Sequence, residues 1–364
     1  MSTRYVTVRQ LGERFPRAGR GHVFSAHERA LNLALDGAPC LATLVTDPGL
    51  MTVSSALILP REGAFDLSGF ARGDAVTVLP ERVLLGSGST LWLEGSGAEV
   101  FTGRIAAAGG HGAGNPGGST SLDGAGGGGP RPNVRAAAIE VLRAIPGARA
   151  AGGFAPLAAG LLAGLGDQAD RMPDAAYSGS DLPAGLLADL PTNLPTELPG
   201  ADPFAREAWR TVRTVLVAAA NAAGARAEGR GQRNAPGTLG GLAGLVGLGI
   251  GFTPSGDDLV VGFLAAQALL AGDESADAGR GRALLVERAA STTLPGATIV
   301  RQAAEDRFPA YLCRFAEEFA VALIRPAARR IGEATAQAAS HGHSSGTDAL
   351  VGFAVGALLA LLKT

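Results

Sequence analysis

Two periodicities divide the chain. Between Leu41 and Ile105, apolar and polar residues alternate with a period of two, in short runs rich in Val, Leu and Thr. The pattern predicts strands at Leu41–Thr46, Thr52–Ile58, Ala75–Leu79, Arg82–Leu85, Thr90–Glu94 and Glu99–Ile105. Asp47-Pro48-Gly49, Arg72-Gly73-Asp74 and the Gly86–Ser89 run separate them as turns. Short, evenly spaced strands of this kind point to a small antiparallel barrel or sandwich. Upstream, Ser25–Asp36 reads as a short helix capped by Ser25. Beyond residue 133 the period lengthens. Helices are predicted at Val134–Ala144, Phe154–Leu165, Phe204–Glu228, Ser255–Ala271, Gly281–Ser291, Thr298–Arg307, Pro309–Ile324, Pro326–Ser340 and Gly346–Lys363. Pro309 and Pro326 suit first-turn positions.

The expected architecture is therefore α+β. A β-rich unit spans residues 1–108 and a larger helical unit residues 134–364. Residues 109–133 form a Gly- and Ser-rich linker too poor in apolar surface to offset the entropy of ordering it. Residues 167–203 read as an insertion, because Leu-Pro pairs disfavour helix at each preceding residue.

Composition narrows the chemistry. Lysine occurs once, at Lys363, so no interior lysine can cradle a nucleotide phosphate or form a Schiff base. Neither a nucleotide nor a pyridoxal cofactor is implied. A net charge of −2 argues against a nucleic-acid partner. Cys40 and Cys313 stand in unrelated contexts and support neither a disulfide framework nor a zinc site. The charged N-terminus lacks a signal-peptide pattern. The most apolar stretches, Leu239–Phe252, Leu259–Gly272 and Ala349–Leu362, run to about 14 residues against the roughly 20 a membrane span needs. The expectation is a cytoplasmic chain with no membrane partner.

One ordered pattern stands out from the glycine excess. Thr253-Pro-Ser-Gly-Asp-Asp-Leu-Val-Val-Gly-Phe263 aligns without gaps with His343-Ser-Ser-Gly-Thr-Asp-Ala-Leu-Val-Gly-Phe353. Ser255/Ser345, Gly256/Gly346, Asp258/Asp348, Val261/Val351, Gly262/Gly352 and Phe263/Phe353 are identical. Each copy resembles a capping box, with an early Asp that the helix dipole favours by about 0.3–1 kcal/mol. On that reading the repeat only builds two packed helices, and Gly262 and Gly352 let them approach.

The first copy adds a loop. Gly247, Gly249 and Gly251 precede Thr253, Ser255 and Gly256, so backbone N–H groups can approach a small anion where a helix opens. Ser345, Gly346 and Asp348 are the equivalent candidates in the second copy. Asp257 and Asp258 conflict with a bound anion. At about 4 Å and an effective dielectric of about 20, one such pair costs about 4 kcal/mol. Either the Asp pair points away from the anion or a cation bridges them: Mg²⁺ held by Asp257 and Asp258, or an arginine, Arg301 or Arg307. The dipole should keep both carboxylates ionised. His341 and His343 are metal ligands, a general base or plain loop residues. The catalytic candidates are Asp257, Asp258 and His343.

Val246-Gly-Leu-Gly-Ile-Gly-Phe-Thr-Pro-Ser-Gly-Asp-Asp258 and the apolar helix after it resemble the signature of the AllH-like family. His341-Gly-His-Ser-Ser-Gly-Thr-Asp348 looks like that family's second, weaker motif, and Leu41–Ile105 is similar to its N-terminal part. Ile250 and Phe252 depart from the Pro and Leu the pattern would have, and Pro295-Gly296 and Asp306 depart further on. The resemblance implies a subunit of oxamate carbamoyltransferase, in which carbamoyl phosphate and oxamate interconvert with oxalurate and phosphate. It implies FdrA-like and AllG-like partner subunits. Two alternatives stay open on the residues alone. One is a Mg-dependent all-α hydrolase with Asp257, Asp258 and Asp348 as ligands. The other is a non-catalytic structural or regulatory subunit.

Overall fold

The structure is a computed structural model. It describes residues 3–60, 66–86, 88–95, 97–108, 131–147, 153–165, 193–227, 238–270, 276–325 and 327–362. Most of the Gly-rich linker and residues 167–192 of the predicted insertion lie outside the described residues.

The N-terminal part is a barrel. Its strands are β1 (Thr3–Gly12), β2 (Gly19–His27), β3 (Ala30–Leu35), β4 (Ala42–Val45), β5 (Ser55–Pro60), β6 (Ala75–Leu79), β7 (Arg82–Leu85), β8 (Ser89–Glu94) and β9 (Glu99–Phe101). The order is β5-β4-β3-β2-β6-β7-β8-β1, and β1 pairs back to β5 to close an eight-stranded ring, with β9 beside the far end of β1. Closure satisfies both edges. The ring is not purely antiparallel as predicted: β1–β8 and β4–β5 are parallel. Val6, Val23, Leu31, Leu33, Leu44, Ile58, Val78, Val83 and Leu91 point inward and are buried.

One sequence expectation fails here. Ser25–Asp36 is not a helix; it holds the end of β2, a tight turn and all of β3. Leu31, Leu33 and Leu35 alternate with Asn32 and Ala34, so their period is two, and the Ala, Glu and Arg at its start mask it. Asn32, on the face opposite Leu31 and Leu33, is buried and satisfied, donating to Ser25 Oγ (3.0 Å) and accepting from Thr43 Oγ1 (2.9 Å). The charged N-terminus, read only for targeting signals, is the strand that closes the ring.

The helical part comprises, among the described residues, α1 (Arg131–Ala144), α2 (Ala155–Leu165), α3 (Pro203–Ala227), α4 (Thr238–Leu242), α5 (Ser255–Leu270), α6 (Ala276–Arg288), α7 (Leu294–Ala304), α8 (Ala310–Ile324), α9 (Ala328–Ala339) and α10 (Ser345–Leu362). Pro309 caps α8 rather than occupying its first turn, and α7 begins at Leu294, not Thr298, behind a Thr293 cap. Two helices form the centre. α5 and α10 are apolar all round and almost wholly buried, and they pack on each other more extensively than any other pair. A Cβ on Gly262 would lie 1.8 Å from the Ala349 carbonyl oxygen, and one on Gly352 would lie 1.9 Å from that of Leu259. Backbone meets backbone there, so only glycine fits. Phe315, Phe319 and Phe353 complete an edge-to-face cluster at the same core. α10 is long and apolar enough to cross a membrane, and 83% of it is buried inside the fold.

The two parts are joined through α7, α8 and the turn between them. Leu41 N–H donates to Thr298 Oγ1 (3.0 Å), Gln302 Nε2 to Ser54 Oγ (2.9 Å) and Ala310 N–H to the Met51 carbonyl (2.9 Å). Arg307 pairs with Glu13, and Arg14 with Glu305. Val45, Met51, Leu57 and Ala310 form the small apolar seam between them.

Candidate site at the paired helix starts

The Gly-rich loop 246–254 folds back onto the start of α5. Gly247, Gly249 and Gly251 all have positive φ, of 82°, 116° and 116°, which side-chain-bearing residues rarely adopt. The curl brings the Leu248 carbonyl to the Gly256 N–H (2.8 Å), and the Pro254 carbonyl to the Asp257 N–H (2.9 Å). Those first-turn donors are therefore taken by the loop itself. The Gly256 amide, expected to face an anion at this helix start, is thus engaged by the Leu248 carbonyl. The second copy repeats the device: Gly346 N–H donates to the His341 carbonyl (3.0 Å) and Asp348 N–H to that of Ser344 (2.9 Å).

The three aspartates turn inward. Asp257, Asp258 and Asp348 are 0%, 3% and 0% exposed. Asp257 accepts from Gly247 N–H at Oδ1 (2.7 Å) and from Thr292 Oγ1 at Oδ2 (2.5 Å), with Gly296 of α7 packed directly over it. It ties the loop, α5 and the start of α7 together. Asp258 Oδ2 accepts from Thr253 Oγ1 (2.9 Å), and Thr253 Oγ1 also meets Ser345 Oγ (2.9 Å). Asp348 Oδ1 accepts from Phe154 N–H (2.6 Å), fastening the segment before α2, where Gly153 leaves room for the carboxylate. Asp348 Oδ2 is buried without a well-formed hydrogen bond, with the Ser255 and Ser344 hydroxyls nearby. The contacts are reciprocal. Ser345 of the second copy lies against Asp258 of the first, and Ser255 of the first against Asp348 of the second.

Burial decides the protonation. Loss of water pushes Asp257 up, despite the donors from Thr292 and Gly247. Asp258 is pushed well above the carboxylate range, first by burial and then by the charge of Asp348. Asp348 is raised to about 6, again by burial above all. Tyr311, packed against the pair, is raised well above its usual value by burial and by both carboxylates. The sequence expectation counted only the helix dipole; burial opposes it and raises Asp257, Asp258 and Asp348.

The remaining candidates disperse. Arg301 donates to the Pro39 carbonyl (2.8 Å) and Arg307 serves Glu13, so both belong to the seam between barrel and helices. Neither reaches the aspartates. His343 is exposed on the turn before α10. His341 packs toward the cluster instead, stacked on Tyr311 with ring centroids 4.0 Å apart, and burial lowers it to about 4, so it is neutral. Gly249, Gly251 and the exposed Ile250 and Phe252 form the outer tip of the loop. Among the described residues, no three His, Cys, Asp or Glu side chains converge as a metal site. Asp257 commits both carboxylate oxygens, and Asp258 its Oδ2, to protein donors, and burial raises both acids, a poor fit to Mg²⁺, which needs ionised carboxylate ligands. Thr292, Tyr311 and the Phe154 amide were not foreseen. Only Thr292 carried a signal, standing before the capping Thr293-Leu-Pro.

An α+β chain is thus defined, with a closed barrel seated on a helical core and a Gly-rich loop pinned by buried acids to the first of two paired helices. Residues 245–357 match the family model of the oxamate carbamoyltransferase subunit AllH, a span running from the Gly-rich loop through most of α10 and holding both motif copies. This match agrees with the resemblance carried by the motifs, and associates the chain with a subunit of a multi-subunit carbamoyltransferase. Comparison with curated proteins and with solved structures gives no match.

Proposed function

We propose that this chain acts as an AllH-type subunit in a carbamoyl-transferring assembly, alongside FdrA-like and AllG-like subunits. The assembly interconverts oxalurate and phosphate with oxamate and carbamoyl phosphate. The observation that carries this reading is the family match over residues 245–357, which takes in the loop and the two helix starts. Within that assembly, Asp257, Asp258 and Asp348 are positioning residues. They are inaccessible and each accepts from an internal donor, so they hold the loop and two helices rather than touch a substrate. What the loop presents to solvent is its tip, Gly249–Phe252. The two helix starts are read as an internal repeat, supported by the reciprocal Ser–Asp contacts and the reciprocal glycine contacts across α5 and α10.

The test is reconstitution. Phosphate-dependent cleavage of oxalurate should require this chain together with its partner subunits. Full activity without it would sink the proposal. The same inaccessibility favours a second reading, a subunit that supports the assembly without touching substrate. Calorimetry on the isolated chain separates the two, because a supporting subunit binds neither oxamate nor carbamoyl phosphate.

A further inference from the structure

A cleft of about 390 Å³ opens where the barrel meets the tip of the Gly-rich loop. Its walls come from both parts: Phe24 and Ser25 of β2, Phe70 and Arg72 of the β5–β6 connection, Phe252 of the loop and Thr293 at the head of α7. Among the described residues no carboxylate lines it, and Arg72 is the one charged residue in its lining. The Arg72 guanidinium lies over the Phe24 ring, 5.6 Å from its centroid, which holds the cation at the cleft without neutralising it. Phe252 meets Phe24 edge-on at 6.1 Å, and His27 backs Phe252 at 5.7 Å, so the aromatic wall is built and not incidental.

A second polar group faces the same space. Asn32, 6% exposed, donates to Ser25 Oγ and is itself held by Thr43. That chain fills a lone pair of Ser25 and turns its hydroxyl hydrogen away from Asn32. Thr293 Oγ1, by contrast, is used internally, donating to the Phe252 carbonyl (2.7 Å) and accepting from Gly296 N–H (3.1 Å). The cleft therefore offers one guanidinium, one hydroxyl donor and aromatic faces. A phosphate dianion asks for more donors and cations than this. A planar monoanion matches it: its carboxylate takes the guanidinium as a two-pronged partner, and its flat body lies against the rings. We propose that this cleft binds a small planar carboxylate anchored on Arg72, which rests on the subunit role above and places the carboxylate substrate at the loop tip rather than at the buried helix starts.

Titration calorimetry of the full chain with oxalurate and oxamate, and with inorganic phosphate as a control, tests this. Arg72→Gln should weaken carboxylate binding roughly tenfold or more, the scale of a lost charge-assisted contact, and Ser25→Ala should weaken it less. Since Arg72 is exposed, its variant should keep the wild-type thermal midpoint. Binding that survives Arg72→Gln unchanged, or a wild-type chain that binds neither carboxylate, would overturn the cleft assignment. The subunit role fails separately, by oxalurate cleavage that does not need the chain.

Discussion

Replacing Asp348 with Asn should make the protein more stable at neutral pH, although it removes a buried, hydrogen-bonded acid. In the fold this carboxyl titrates at about 6, and burial is the main cause. In the unfolded chain it titrates near 3.9. The folded state therefore binds more protons than the unfolded state between these values, and stability falls as pH rises through that window. Below about pH 4 both states are protonated and nothing is lost. Above about pH 6 the full cost is present, and two pKa units correspond to about 3 kcal/mol. Asn is isosteric. Its oxygen can keep the bond from Phe154 N–H, and its amide replaces Oδ2, the atom that lacks a well-formed partner. It also removes the charge that pushes Asp258 further up. Urea unfolding of wild type and Asp348→Asn at pH 4, 5, 6 and 7.5 measures this. Near pH 4 the two should nearly coincide, and the variant should lead by up to about 3 kcal/mol at pH 7.5. An Asn variant that follows the wild-type slope, or that loses several kcal/mol at pH 7.5, would refute desolvation as the dominant cause.

Gly262→Ala and Gly352→Ala each drive a methyl into a carbonyl of the facing helix, at 1.8 and 1.9 Å, and each should lower stability by more than about 3 kcal/mol or abolish folding, read by thermal unfolding. Asp257→Ala strands the Gly247 amide and the Thr292 hydroxyl; it should cost about 2–4 kcal/mol, and hydrogen exchange should rise in the loop 246–254 first. Uniform exchange with an unaffected loop would mean that Asp257 does not hold it.

The fold was legible where one periodicity governed the environment. β6 and β7 fall on their predicted bounds, because a barrel strand has one wet and one dry face and the sequence alternates accordingly. β3 was hidden by its neighbours' helix-forming composition, and β1 because Arg4, Arg9 and Gln10 draw attention from Val6 and Val8. Helix boundaries moved by a few residues where a cap decided them, as at Thr293.

The candidate site was legible as a motif and not as an environment. Ser-Gly-x-Asp told correctly where two helices begin, and a local rule then favoured ionised acids facing an anion. That rule counts only the helix's own dipole, worth about 0.3–1 kcal/mol. The deciding groups come from elsewhere: Thr292 reaches Asp257 across 35 residues, Ser345 approaches Asp258 across 87, and Phe154 reaches Asp348 across 194. Together they seal the acids from water, and desolvation of a carboxylate outweighs a dipole contribution of that size. The loop was read as an anion cradle for the same reason. Its glycines do permit close backbone approach, but what approaches is the chain's own Leu248 and Pro254 carbonyls. With those donors satisfied inside, ligand chemistry is displaced outward to the loop tip, where the barrel supplies the guanidinium that the helical part keeps for its seam.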